Sequence, residues 1–251
     1  MIRGFYQSVS GMVAMSRRME VATTNLANVQ TNGYKQERTS MGAFAEQLVS
    51  RLSKDDPGLD IGNVGLSGAS AAREHDWSQG GFQSTGRELD MALSGSGFFA
   101  VQSPEGVRYT RNGAFARNAD GILTNASGRP VLGENGPIVV GSGQITMLPD
   151  GAILVDGTTV DRLQIVEFGD DPQLQRSGNT ELILADGAPP PERAQATSVR
   201  QGFLESSNVD VTATFTTIIE IQRAYEANQR MIQSQDELVG RAVNDIARPM
   251  S

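Results

Sequence analysis

One side chain in this sequence titrates near neutrality: His75, beside Asp76 in REHDWSQGG. A histidine next to a carboxylate can act as a base and its orienter. A triad also requires a nucleophile on a strained, exposed turn, and no Gly-x-Ser-x-Gly run is present. The pair therefore reads as a surface or sheet-edge histidine. With a single histidine and no cysteine, a zinc centre is not expected. The glycines of LSGSGFFAV precede an aromatic strand-like run, whereas a phosphate loop follows a strand and opens a helix. Close packing at a β-turn or bulge is expected there instead. The paired acids Asp55-Asp56 and Asp170-Asp171 have the chemistry for acid and base work, but they lie beside Pro or Gly and read as solvated loop tips. The NADG run ending at Gly121 is a partial calcium-loop pattern, with Ala116 at the first ligand position and no closing Glu. These residues imply no catalytic centre, no cofactor, no metal and no small-molecule substrate.

The stretch that most needs a reason is TTNLANVQTNGYK, Thr23 to Lys35. Asn and Thr compete for backbone hydrogen bonds and weaken helix interiors, yet this run continues a well-patterned helical segment. Upstream, Phe5, Met12, Met19 and Leu26 recur at sevens, and Ile2 and Val9 begin a second row that passes into Ser16 and Thr23. That period is the narrow seam of a coiled coil rather than the wide stripe of a helix on a globular core. It predicts a helix over about residues 3 to 27. The same period returns in Val211, Ile218, Tyr225, Ile232, Val239 and Ile246, within a segment otherwise rich in Gln, Glu, Arg and Asn.

Burying a seam side chain contributes roughly 1.5 to 3 kcal/mol, whereas an isolated helix is marginal in water. The two ends are expected to order on each other or on neighbouring subunits; the alternative is that each packs on the body as an ordinary amphipathic helix. Asn25 and Asn28 share the flank beside Leu26. Their amides donate and accept, and leaving one buried and unpaired costs about 1 to 3 kcal/mol. They are expected to fix register between subunits. For Asn28, simple capping of the helix end is the alternative, with Asn32-Gly33 turning the chain away.

Between the helices lie short alternating runs such as FFAVQ, VRYT, ITML and RLQIVEF, punctuated by Asn112-Gly113, Asp120-Gly121, Ser127-Gly128, Asn135-Gly136, Asp150-Gly151 and Asp156-Gly157. Glycine at positive φ is the expected turn chemistry at each. Turns about every eight residues predict an antiparallel sandwich or barrel, placed at residues 72–204. Residues 36–71 read as a connector in which MGAFAEQLVSRL is briefly helical. The expected fold is α+β: paired, coiled-coil-like terminal helices in 1–35 and 205–251, with an inserted antiparallel β-rich domain.

Composition agrees. Hydrophobic residues make up 38% and aromatic residues 6% of the 251, with 28 Gly and one Trp, which suits a turn-rich β body with thin helices. A formal net charge of −8 argues against a nucleic-acid partner, because phosphate binding depends on clustered Lys and Arg. The first twenty residues hold no apolar run ending at a small-residue cleavage site, and no run reaches membrane-span length.

Four stretches carry a resemblance: TTNLANVQTNGYK; LDMALSGSGFFAV; RYTRNGAFARNADGILTNASGRPVLG; and SNVDV followed by IQRAYEANQRMI. In this order and at these separations, they resemble the basal-body rod proteins of the bacterial flagellum, the FlgF and FlgG type. The resemblance spans nearly the whole chain. It implies a structural subunit, not an enzyme, that assembles helically with copies of itself and with other rod and hook subunits into the periplasm-crossing rod. Ring proteins or peptidoglycan would be further contacts. It also implies terminal helices paired as an inner coiled-coil domain, an outward β domain, and type III export without a cleaved signal.

Carried onto this sequence, the N-terminal signature falls on Asn25, Leu26, Asn28, Thr31, Gly33 and Tyr34. The C-terminal one falls on Ser207, Asn208, Val209, Gln222, Arg223, Tyr225 and Glu226. With the seam residues Phe5, Val9, Met12, Met19, Ile218, Ile232 and Val239, these are the expected assembly residues. One departure is VTATFTT at Val211 to Thr217, whose β-branched run lowers helix propensity and blurs where the last helix starts. The proximal rod is the favoured position and the distal rod the alternative. From another class, a glycan-acting enzyme outside the cytoplasm would need acids such as Asp90 or Asp120 to converge in a cleft. An adhesive module would need an aromatic platform, for which one Trp and four Tyr are thin.

Overall fold

The computed structural model describes residues 2–41, 46–53, 56–65, 71–169, 173–178 and 180–246. Helix α1 spans Ile2–Ala27 and helix α2 spans Val211–Ile246, so the fold is α+β with a mainly antiparallel middle. The chain divides into two compact units. One gathers Met1–Leu26, Glu37–His75 and Val211–Ser251; the other gathers Ala27–Gln36 and Asp76–Asp210.

In the helical unit, α2 begins at Val211 despite its β-branched start. Asp210 precedes it, a residue type suited to an N-cap, and Thr216 and Thr217 return their hydroxyls to the carbonyls of Thr212 and Ala213 at 3.0 and 2.9 Å. Among the described residues of MGAFAEQLVSRL the expected brief helix is replaced by strand: Glu37–Met41 and Glu46–Ser53 are strands. They pair antiparallel with Ala71–His75 and Asp56–Gly65 respectively. A lone short helix is marginal, whereas a ladder gives each strand's backbone a partner. Pro57 is tolerated because it sits in a two-stranded ribbon beside a register shift.

The helix surfaces divide differently from the heptads. On α1, Ser8, Ala14, Val21, Ala22 and Asn25 are buried, while Met12, Met19 and Leu26 are only half-buried and Val9 is exposed. The Phe5 side chain lies outside the described residues. On α2, Thr214 and Ile221 are buried and Asn228 and Gln235 half-buried, a row that is itself seven-spaced. Val211, Tyr225 and Val239 are exposed, with Ile218 and Ile232 intermediate.

The β unit is organised by a six-stranded antiparallel sheet. Its order is Leu174–Arg176, Glu181–Leu184, Gly106–Thr110, Phe98–Ser103, Ile165–Glu167, Glu192–Arg193. The run FFAV lies near its centre and is buried on both faces, because successive strand side chains point to opposite sides. Phe99 and Val101 join the larger core with Met91, Leu93, Phe115 and Ile153. Phe98 and Ala100 join a smaller one with Tyr109, Val166 and Leu182. Gly113 departs from its expected role. It is not among the positive-φ residues; a Cβ there would lie 1.7 Å from the Met91 carbonyl, so close backbone approach is what demands glycine.

Phe99 is fully buried and meets Phe115 edge to face at 5.0 Å. Phe99→Ala is expected to destabilise the β unit by about 3 to 5 kcal/mol, read as a lowered urea midpoint of its unfolding.

Candidate functional site

The polar stretch that ends α1 is tied down residue by residue. Asn25, 3% exposed, uses both ends of its amide on one backbone: Nδ2 donates to the Glu37 carbonyl at 2.7 Å, and the Glu37 N–H donates to Oδ1 at 2.9 Å. The helix end is thereby clamped to the start of the first strand. Past Ala27 the chain turns, with Thr31 N–H donating to the Asn28 carbonyl at 3.0 Å and Thr31 Oγ1 to Asn28 Oδ1 at 3.2 Å.

Within the β unit, Gly33, Tyr34 and Lys35 are all buried. Gly33 has φ +69, and a Cβ there would fall 2.4 Å from the backbone of Arg111 and Asn112, so neither the conformation nor the space admits a side chain. Its N–H donates to the Glu205 carbonyl at 2.7 Å. The Arg176 guanidinium lies 4.4 Å from the Tyr34 ring centroid and donates to the phenol oxygen at 3.2 Å.

Lys35 Nζ donates to Glu205 Oε1 at 2.6 Å and to the Ser78 carbonyl at 2.7 Å. The same Oε1 accepts the Gly80 N–H at 3.0 Å, and Oε2 accepts Arg111 Nη1 at 3.3 Å. Arg111 also donates to the Gly95 carbonyl at 2.7 Å, with its guanidinium 4.8 Å from the Phe98 ring centroid. Burial pushes the Lys35 ammonium below its ordinary value, and Glu205 opposes that shift. Burial likewise lowers Arg111, again opposed by Glu205. One carboxylate thus compensates two buried cations.

Asn208 completes the junction. Its Oδ1 accepts the Gln36 N–H at 2.7 Å, while Nδ2 donates to the Asp76 carbonyl at 2.9 Å and to Ser78 Oγ at 3.0 Å. Ser207 Oγ accepts the Val209 N–H at 3.3 Å, and Val209 is buried. TNGYK, YTRNG and ESSNVD, far apart in sequence, meet at one place.

None of this geometry is that of a reaction centre. Asp90 is buried and Asp120 exposed; Asp55, Asp170 and Asp171 lie outside the described residues. Among the described residues no cluster of three or more His, Cys, Asp or Glu could hold a metal ion. Gly97, from LSGSGFF, is pressed between Ile165 and Thr197, as close packing requires.

The converging segments coincide with family patterns. A flagella basal body rod protein model matches residues 5–35, a flagellar hook protein FlgE/F/G D1 domain model residues 92–167, and a flagellar basal body rod FlgEFG protein C-terminal model residues 200–245. The flagellar hook-basal body complex protein FlhO of Bacillus subtilis (strain 168) is 33% identical over 99% of this chain and 100% of its own length. The chain belongs to the flagellar basal-body rod family. The rod protein FlgG of the same organism is 32% identical, over 97% of this chain and 99% of its own. The rod protein FlgF of Caulobacter vibrioides is 30% identical over 99% of both. A rod-family chain is a structural component of the flagellar basal body, not an enzyme, so the glycan-acting and adhesive readings fall away.

The expected site residues thus separate into groups. Gly33, Ser207, Asn208 and Val209 belong to the junction, and Asn25 to the Glu37 clamp. Gln222, Arg223, Tyr225 and Val239 are exposed on α2. Sequence reasoning passed over Lys35, Arg111 and Glu205. Each sits inside or beside a quoted motif, Lys35 and Arg111 in non-strand segments and Glu205 at the end of the Phe203–Glu205 strand, so local pattern carried no signal of their pairing.

Glu205→Gln leaves two buried cations facing a neutral amide, and is expected to destabilise the β unit by about 3 to 5 kcal/mol in urea unfolding. Gly33→Ala is expected to cost about 1 to 3 kcal/mol from backbone strain alone, with faster hydrogen exchange across residues 27–36.

Proposed function

We propose that this chain is a rod subunit that assembles helically with copies of itself and with other rod and hook subunits, through the apolar faces of α1 and α2. The observation that carries this reading is the exposure of large apolar side chains along both helices. Val13 is 49% exposed on α1; Phe215, Ile219, Met231 and Leu238 are 50%, 51%, 54% and 57% exposed on α2. Rows of exposed apolar residues on soluble proteins mark interaction surfaces, and repeated head-to-tail contacts that do not close generate filaments. In this reading, Phe5, Val9, Met12, Met19, Leu26, Ile218, Tyr225, Ile232 and Val239 pack coiled-coil-like against neighbouring helices, with Gln222 and Arg223 beside them. Asn25 and Asn28 act on register by holding the end of α1 in place.

Ring proteins or peptidoglycan are further contacts in this reading, and export follows the flagellar type III route. A proximal position is favoured on the resemblance of QSTGRELDMALSGSGFF to the proximal-rod type. The distal rod is the second reading. Electron microscopy of basal bodies from a strain lacking this chain separates them: loss of the whole rod supports the first, and loss of its outer part alone the second.

Tyr225, 37% exposed on α2, gives the sharper test. Tyr225→Asp is expected to abolish motility and rod assembly while leaving the urea unfolding of the β unit unchanged. Normal motility in cells carrying only that variant would overturn the proposal.

A further inference from the structure

Gly11 stands in the middle of α1, where glycine is a poor choice because it loses more backbone freedom on folding than any other residue. Asn228 stands in the middle of α2, where an amide competes with the helix for backbone partners. The two unfavourable choices meet. A Cβ at Gly11 would lie 3.1 Å from both Nδ2 and Oδ1 of Asn228 and 3.3 Å from its Cγ, so the amide faces the bare backbone of α1. It is also held there, since Nδ2 donates to the Ala224 carbonyl at 3.0 Å. To admit a methyl group the amide must give by a few tenths of an ångström against that bond.

We infer that Gly11 and Asn228 form a hole and a knob that set the register and rotation of α2 against α1. The half-buried positions around the contact fit such a role. Asn228 continues the seven-spaced row of Thr214 and Ile221, and Gly11 lies between buried Ser8 and Ala14. These rows are mostly small or polar, and such surfaces attract one another weakly but admit few alternative fits. Fixing the pair by shape at one point leaves the apolar residues Val13, Phe215 and Ile219 exposed. That consequence for assembly rests on the rod reading above; the hole and knob do not.

The test uses a sign. In an ordinary helix interior, replacing glycine by alanine strengthens the helix. In the full chain, kept dilute and shown to be monomeric, Gly11→Ala is expected to lower hydrogen-exchange protection of α1 amides several-fold. In an Asn228→Ala background the same substitution is expected to raise protection several-fold. Amides of the Phe98–Ser103 strand, unchanged throughout, report that the β unit stays folded. Gly11→Ala raising protection in both backgrounds, lowering it in both, or α1 amides showing no protection in the native sequence would overturn the inference. Because the readout needs no assembly, failure of the rod reading would appear in the motility test and not here.

Discussion

The Glu205 carboxylate is the constraint on which the β unit depends. It is almost completely buried, and an ionised carboxylate in that setting is tolerable only when its charge and lone pairs are met. Lys35, Arg111 and the Gly80 N–H meet them. The geometry then propagates: Gly33 must be glycine to let Lys35 in, and Gly80 must be glycine because a Cβ would strike the Ser206 carbonyl. A buried ion cluster is a weak source of net stability compared with apolar packing. What it does is tie three distant segments together, since Glu205 meets Lys35 of TNGYK and Arg111 of YTRNG at once.

The parts of the fold legible in the sequence were those governed by local periodicity. Heptads placed both helices, and turn dipeptides placed an antiparallel body, because each depends on residues close along the chain. The hairpin ribbons of residues 37–75 were not legible, since a short mixed segment reads as helix or strand according to its partner. The direction of the helix seams was hidden for the same reason. Periodicity shows that an apolar row exists, while Gly11 against Asn228 shows which side the chain keeps for itself.

The polar residues of TTNLANVQTNGYK find partners that were unreadable in the sequence. Asn25 spends its amide on Glu37, twelve residues on, and Lys35 finds its carboxylate 170 residues away. A single sequence carries no signal for pairs so distant. Asn25, Gly33 and Asn208 all bond within the chain, a reminder that a patterned polar run need not face outward.

The ten residues Ala27–Gln36 belong to the β unit although the chain on either side of them belongs to the helical one. A chain delivered N-terminus first therefore presents Lys35 long before Glu205 exists to receive it. Closing so long a loop is slow, so the body completes only as the last strand arrives. Order of arrival, as much as final energy, then separates a half-delivered chain from a finished part.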